Sequence, residues 1–298
     1  MFKQFIFVSA LLISTVTSPT YAEDQTGVLK KIKDSKVITL GHRESSVPFS
    51  YYGENQQVTG YSHELMLRIV DAIKSNLNQP DLKIQLMPIT SQNRISLVQN
   101  GTIDIECGST TNNSERQKQV NFSNSIFVIS TRLLTNKKSG ISDFQDLANK
   151  NVVTTAGTTS ERILRKMNED KKLEMKIISA KDHAEAFLAL ETNRAIAFMM
   201  DDALLFGEKA KAKHPDDWVV TGTPQSYEAY GCMMRKDDTQ FKKLVDDTLS
   251  KLMLSGEATV LYKKWFESPI PPKGINLNFP LSEAMTKLFQ NPNDKAFE

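Results

Sequence analysis

The sequence predicts an α/β protein of two lobes, each built on a mainly parallel sheet flanked by helices. Three observations support this fold class: short apolar strands alternate with amphipathic helices, the alternation restarts midway, and an extended segment returns late in the chain. Strands that alternate with helices typically form a parallel sheet covered on both faces. Two such units in succession, followed by a returning segment, predict two lobes joined by a two-strand hinge.

The first unit is predicted to contain strands at residues 37–41, 82–87 and 103–107. A helix is predicted over Tyr61–Leu77, because apolar residues recur there at intervals of three and four. A shorter helix at residues 92–99 precedes the third strand. This β-α-β-α-β order is the pattern expected of the first lobe.

The second unit repeats the alternation. Its predicted strands and helices lie, in chain order, at residues 152–155, 160–168, 175–178, 184–192 and 195–200. Thr158 and Glu161 have the spacing of a capping box, which predicts a helix start just after Gly157. The chain is predicted to cross between the lobes near residues 126–135 and 227–233, and the segment that follows, to about Phe266, is predicted to be helical.

The N-terminus has the pattern of a secretory signal peptide at residues 1–22. Lys3 precedes a short apolar stretch at residues 5–13, and Ala22 ends a run of small and polar residues suited to cleavage. The stretch is too short to span a bilayer, which needs roughly 20 apolar residues. We therefore expect an exported protein; the alternative is a buried N-terminal helix.

The two cysteines, Cys107 and Cys232, lie far apart and form no Cys-x-x-Cys pair. In an oxidising compartment a single disulfide is expected. The alternative is a pair of buried free thiols, which would be expected of a cytosolic chain. The predicted export favours the disulfide.

Composition and motifs weaken several function classes. The 37 Lys and Arg residues nearly balance the 35 Asp and Glu residues, which argues against a nucleic-acid-binding surface. The sequence contains no phosphate-binding loop, dinucleotide fingerprint, nucleophile elbow or His-Glu-x-x-His motif. No two of its four histidines have metal-ligand spacing, so neither a metal nor a cofactor is predicted.

Polar residues gather where the predicted strands end, which is where open α/β sheets bind ligands. Hydroxyl groups, arginines and acidic residues are concentrated in five such segments: 41–44, 90–94, 107–111, 155–160 and 201–202. Hydroxyl and guanidinium groups at helix starts suit an anion, because free backbone N–H groups point there too. A single Ser or Thr is ordinarily a helix cap and a single Arg a solvated charge; five strand ends together favour a cleft that binds a ligand.

These segments resemble the extracellular solute-binding proteins of amino-acid importers, in the group that takes polar amino acids. The resemblance extends from Val37 to about Phe266, and its matching stretches are residues 47–51, 60–61, 101–104, 110–116, 156–160 and 193–201. It is greatest to the branch of this family that binds glutamate and aspartate. The resemblance implies a periplasmic binding protein fold, with lobe 1 at residues 23–129 and 230–298 and lobe 2 at residues 130–229.

The resemblance also implies roles for individual residues. Arg116 would bind the ligand's α-carboxylate, and backbone and hydroxyl groups of Ser109, Thr111 and Thr159 would bind the same carboxylate. Asp201 would pair with the ammonium. Arg43, Arg94 and His183 then remain as further cationic groups at strand ends or helix starts, with Ser91 as a hydroxyl donor. Unpaired charges around a neutral ligand side chain would be costly, so a second carboxylate on the ligand is expected.

The function implied is the capture of L-glutamate and L-aspartate by lobe closure and their delivery to the permease of an ABC transporter. The resemblance implies a monomer in the periplasm, with no catalytic residues and no nucleic-acid partner. Two alternatives from other classes remain at this point: a periplasmic enzyme on the same fold, such as a dehydratase, and a sensory ligand-binding module.

Overall fold

The computed structural model describes residues 25–296. The predicted signal peptide at residues 1–22 lies outside the described residues. Within the described part of the chain, no helix combines the length and the apolar character needed to cross a membrane.

Helices and strands alternate along the chain as the sequence pattern predicts. The strands are β1 (Val37–His42), β2 (Ser45–Ser46), β3 (Ser50–Tyr52), β4 (Val58–Thr59), β5 (Lys83–Pro88), β6 (Ile105–Glu106), β7 (Val120–Phe122), β8 (Phe127–Asn136), β9 (Asn151–Thr155), β10 (Lys176–Ala180), β11 (Ala197–Asp201), β12 (Trp218–Thr221), β13 (Tyr227–Tyr230) and β14 (Met233–Arg235). The α-helices are α1 (Gly27–Ser35), α2 (Tyr61–Leu77), α3 (Arg94–Gln99), α4 (Ser114–Gln117), α5 (Thr159–Asp170), α6 (His183–Glu191), α7 (Asp202–Lys211), α8 (Thr239–Leu254), α9 (Glu257–Phe266) and α10 (Glu283–Gln290).

The strands form two main sheets, and these define the two lobes. The first-lobe sheet has the order β5-β1-β6-β14-β7, and the second-lobe sheet has the order β10-β9-β11-β8-β12, with β13 paired to β8. The predicted two-lobed α/β architecture is confirmed. Each sheet is mixed: the strands joined by helical crossovers are parallel, whereas β14 and β8 run antiparallel to their neighbours.

The hinge consists of two antiparallel strands. Strand β8 pairs with β13 so that Phe127 lies opposite Tyr230 and Ser130 lies opposite Tyr227. These strands fall within the two predicted crossing segments. The first-lobe core anchors the hinge, because the Phe127 ring stacks on Phe266 at 4.7 Å and meets Phe49 edge-on at 4.8 Å.

Local signals in the sequence account for the best-predicted helices. Helix α2 buries a stripe that includes Leu65, Ile69 and Ile73, and it ends at Asn78, which has a left-handed conformation with φ of 50°. Asparagine tolerates that conformation better than most residues. At the start of α5, the Thr158 side chain accepts a hydrogen bond from the Glu161 backbone N–H at 3.1 Å, as the capping motif predicts.

The predicted disulfide between Cys107 and Cys232 is present. It joins the residue that follows β6 to the residue that precedes β14, with Cα atoms 4.3 Å apart and both side chains fully buried. The bond therefore ties the returning end of the hinge to the centre of the first-lobe sheet.

Candidate ligand-binding cleft

The nine polar residues assigned to ligand binding all lie at carboxyl ends of strands or at helix starts, and none is more than 9% exposed. The first lobe contributes Arg43, Ser91, Arg94, Ser109, Thr111 and Arg116. The second lobe contributes Thr159, His183 and Asp201, from the starts of α5 and α6 and the end of β11. The two sets face one another across the cleft.

Direct contacts close the cleft. The Arg116 guanidinium donates to the Thr111 carbonyl oxygen at 2.9 Å and to the Gly157 carbonyl oxygen of the second lobe at 3.4 Å. Gly157 also lies so close to Gln92 that a Cβ atom would stand 2.9 Å from the Gln92 backbone. The lobes are therefore in contact around the predicted site.

One end of the cleft contains several buried polar atoms that have no hydrogen-bond partner. Within residues 25–296, the buried atoms Arg43 Nη1 and Nη2, Arg94 Nε, Ser91 Oγ and His183 Nε2 form no hydrogen bond. Buried polar groups are paired in most proteins, and leaving one unpaired costs about 1–3 kcal/mol. These four residues are the ones assigned to a second ligand carboxylate. We call them the basic pocket.

Burial in the basic pocket disfavours the charged forms of Arg43 and His183. It lowers the pKa of Arg43 to about 10, with the nearby positive charge of Arg94 adding to the effect. Burial also lowers the pKa of His183 well below its usual value, and Arg43 contributes to that shift. The His183 Nδ1 atom lies 2.8 Å from the Thr155 hydroxyl, which leaves Nε2 as the ring atom without a partner.

The other end of the cleft centres on Asp201. One oxygen of its carboxylate accepts from the Ser160 hydroxyl at 3.0 Å, and the other accepts from the Tyr230 hydroxyl. Burial, with the negative charge of Glu228 adding to it, raises the pKa of Asp201 to about 7. Burial lowers the pKa of Arg116 to about 9, assisted by the positive charge of Arg94. This end therefore contains Arg116 and Asp201, the buried cation and carboxylate to which the resemblance assigns the ligand's main-chain groups.

Sequence reasoning missed three acidic or phenolic residues of the cleft. Glu106 ends β6, accepts from the Thr110 hydroxyl at 2.8 Å, and attracts the Arg94 charge; its signal was a carboxylate within an apolar strand. Glu228 and Tyr230 lie on β13, and both reach the cleft. Residues two apart on a strand share a face, so the spacing of Glu228 and Tyr230 could have indicated that both face the cleft.

Two further placements follow from the contacts. Arg94 does not lie free in the cleft: its Nη1 atom donates to the Ser109 carbonyl oxygen at 3.1 Å and to the Thr110 hydroxyl. The Ser91 hydroxyl forms no hydrogen bond within the described residues, and Ser91 lies in the loop between β5 and α3, three residues before Arg94. Within residues 25–296, no group of three or more His, Cys, Asp or Glu side chains is placed to hold a metal ion.

The family model for bacterial extracellular solute-binding proteins, family 3, matches residues 38–268. The chain belongs to this family. An L-glutamate/L-aspartate-binding protein of Pseudomonas aeruginosa is 61% identical over 291 residues, covering 97% of this chain and 96% of that protein. A glutamate/aspartate import solute-binding protein of Escherichia coli is 62% identical over 268 residues, covering 90% of this chain and 89% of that protein.

Solved structures of this family share the two-lobed fold. A mutant of ArgBP from T. maritima is 25% identical, with a TM-score of 0.71 over 81% of this chain and 100% of that chain. The relatives described here with more than 60% identity are named as binding proteins and not as enzymes. This favours the prediction of a solute-binding protein over the enzyme and sensor alternatives.

Proposed function

We propose that this protein captures L-glutamate and L-aspartate between its lobes and delivers them to the permease of an ABC importer. The names of the relatives that are 61% and 62% identical support this ligand class. The observation that carries the proposal is the basic pocket. A neutral ligand side chain would bring no counter-charge to the buried guanidinium groups of this pocket, whereas a second carboxylate would pair with them.

The ligand's main-chain groups would lie at the opposite end of the cleft. Arg116 would bind the α-carboxylate, because a guanidinium can donate two parallel hydrogen bonds to a carboxylate. The backbone N–H groups at the start of α5, beginning at Thr159, would add donors to the same group. Asp201 would accept from the ammonium, and Ser109 and Thr111 would line this end from the first lobe.

Closure of the two lobes would make capture selective. The site residues come from both lobes, so the full set of contacts exists only when the lobes meet, and a ligand that contacts both favours the closed form. We propose lobe boundaries at residues 23–129 and 230–298 for lobe 1 and at 130–229 for lobe 2. The closed form would then dock on the permease.

We propose that the protein is exported to the periplasm, with cleavage of the signal peptide at residues 1–22. We also propose that it acts as a monomer. The buried disulfide between Cys107 and Cys232 suits an oxidising compartment. N-terminal sequencing of the exported protein and its mass in solution would test these two points.

Identification of the ligand tests the central proposal. Purified protein is denatured and the released small molecules are identified by mass spectrometry; protein refolded without ligand is then titrated calorimetrically with glutamate, aspartate, glutamine and arginine. Binding of glutamate and aspartate in strong preference to the other two is expected. Equal binding of glutamine, or a different released ligand, would contradict the assignment.

A further inference from the structure

Glu228 lies on the hinge strand β13, and its side chain is buried, with 5% of its surface exposed. Its Oε2 atom accepts hydrogen bonds from the Thr111 hydroxyl at 2.5 Å and from the Thr159 hydroxyl at 2.8 Å. Its Oε1 atom accepts from the Ser226 hydroxyl at 2.9 Å. One carboxylate therefore joins the hinge, the first lobe and the second lobe.

These contacts decide which way two hydroxyl groups point. A threonine hydroxyl has one hydrogen to donate and lone pairs with which to accept. The hydrogens of Thr111 and Thr159 are both directed at Glu228, so towards the cleft these hydroxyls can only accept. They cannot donate to a ligand carboxylate, although their backbone N–H groups still can.

The two hydroxyls lie at the Asp201 end of the cleft. Ser160, which follows Thr159, donates to the Asp201 carboxylate, and so does Tyr230, two residues beyond Glu228 on β13. Burial raises the pKa of Asp201, and the negative charge of Glu228 adds to that shift. Glu228 also acts on Arg116, whose guanidinium bonds the Thr111 carbonyl oxygen. An ammonium group carries three donors and no acceptor, so it needs acceptors of this kind around it.

We propose that Glu228 is a positioning residue, which orients the Thr111 and Thr159 hydroxyls as acceptors for the ligand's ammonium group. The proposal rests on the proposed function and deepens it, because it assigns these hydroxyls to the ammonium and not to the α-carboxylate. Glu228 acts through the two threonines and the hinge. Thr111 belongs to the first lobe and Thr159 to the second, and both donate to Glu228 in this structure, in which the lobes are in contact.

The test compares two ligands that differ only at the group in question. Glutarate has both carboxylates of glutamate and lacks the α-ammonium. Glu228→Met removes the acceptors at similar size, whereas Glu228→Gln keeps an amide oxygen that can accept from both threonines. Calorimetric titration of each variant with glutamate and with glutarate gives the preference for the ammonium as a ratio of two Kd values.

Glu228→Met is expected to reduce the preference for glutamate over glutarate about tenfold or more, because hydrogen bonds to a charged group such as the ammonium are stronger than those between neutral groups. Glu228→Gln is expected to retain most of that preference. If Glu228→Met weakened both ligands by the same factor, Glu228 would have only a structural role and the proposal would be wrong. If the wild-type protein failed to bind glutamate at all, the proposed function itself would be wrong.

A second pair of variants keeps the test decisive if a Glu228 variant does not fold. Thr111→Val and Thr159→Val remove the hydroxyls with little change of shape and leave both backbone N–H groups in place. A larger loss for glutamate than for glutarate supports the proposal. An equal loss for both ligands would show that the hydroxyls serve a carboxylate, and would overturn it.

Discussion

Gly207 of the second lobe lies so close to Val47 of the first lobe that a Cβ atom on Gly207 would stand 2.3 Å from the Val47 carbonyl oxygen. Gly207 is inside helix α7, and Val47 lies in the turn between β2 and β3. A side chain at position 207 would therefore force backbone apart where the lobes meet. We expect this contact to be lost when the lobes separate, so that a side chain at position 207 would oppose closure.

Gly207→Ala is expected to weaken glutamate binding without weakening the fold. An overpacked contact costs about 1–3 kcal/mol, which corresponds to about a ten- to hundredfold loss of affinity. Alanine is the better helix residue, so the melting temperature of the unliganded protein should stay constant or rise. Calorimetry and thermal unfolding measure the two effects. Lys209→Ala in the same helix is the control, and unchanged affinity in Gly207→Ala would contradict a closure contact at this position.

The disulfide prediction concerns stability. The Cys107–Cys232 bond closes a loop with a sequence separation of 125 residues. On the chain-entropy model a loop of this length contributes about 4–5 kcal/mol to the free energy of unfolding, and measured values are often smaller. The double variant Cys107→Ala/Cys232→Ala should therefore unfold at clearly lower urea concentration. Thiol titration of the denatured, unreduced wild type should find no free thiol; two would contradict the bond.

The pH prediction follows from Asp201. In the folded protein the pKa of Asp201 is raised to about 7 from its ordinary 3.8, by burial first and by Glu228 second. Between these values the folded state keeps a proton that the unfolded state has lost, so the free energy of unfolding falls as pH rises. The contribution is fully present below about pH 4, declines by at most about 1.4 kcal/mol per pH unit, and is lost above about pH 7.

Asp201→Asn removes this titration while keeping the side chain's size. Urea unfolding of the unliganded variant should therefore show a weaker dependence on pH than the wild type between about pH 4 and 7. Ser160→Ala is a useful companion, because it removes one donor to Asp201 at 3.0 Å and leaves the carboxyl group in place. Superimposable pH profiles for wild type and Asp201→Asn would show that another group titrates in this range.

Features of the fold that depend on long periodic segments could be predicted from the sequence. Helix α2 was predicted with both ends, because 17 residues are enough for a clear apolar stripe. The strand predicted at residues 103–107 is present as β6, although only two of its residues pair. The small sheet of β2, β3 and β4 has strands too short for periodicity to reveal, and it was not predicted. Helices α1 and α10 lie outside the predicted alternation and were not predicted.

The residues of the candidate site also divide into those that the sequence could place and those that it could not. Arg43 and Asp201 could be placed because they follow strands whose ends face the cleft. The contacts of Glu228 could not, because they depend on how β13 pairs with β8 and brings Thr111 and Thr159 to one carboxylate. Sequence pattern identifies the strand, but register and lobe closure decide which residues its side chains meet.

Selectivity for a second carboxylate is tested most sharply at Arg43. Both Nη atoms of Arg43 are buried and have no partner within residues 25–296, whereas Arg94 also supports the loop at Ser109. Arg43→Met keeps the length of the side chain and removes its charge and donors. Losing one member of a buried charge pair costs about 2–5 kcal/mol, or roughly thirty- to several-thousandfold in affinity, so glutamate binding should fall by that order.

Glutamine should lose much less, because its neutral amide forms no charge pair with Arg43 in the wild type. The ratio of the Kd values for glutamine and glutamate, measured calorimetrically for wild type and Arg43→Met, is therefore the quantity to compare, and it should fall steeply. Arg68→Met is the matched control, since Arg68 is 43% exposed, pairs with Glu257 at 2.9 Å, and lies on α2 outside the assigned set. If Arg43→Met weakened both ligands equally, the distal carboxylate would be bound elsewhere in the cleft.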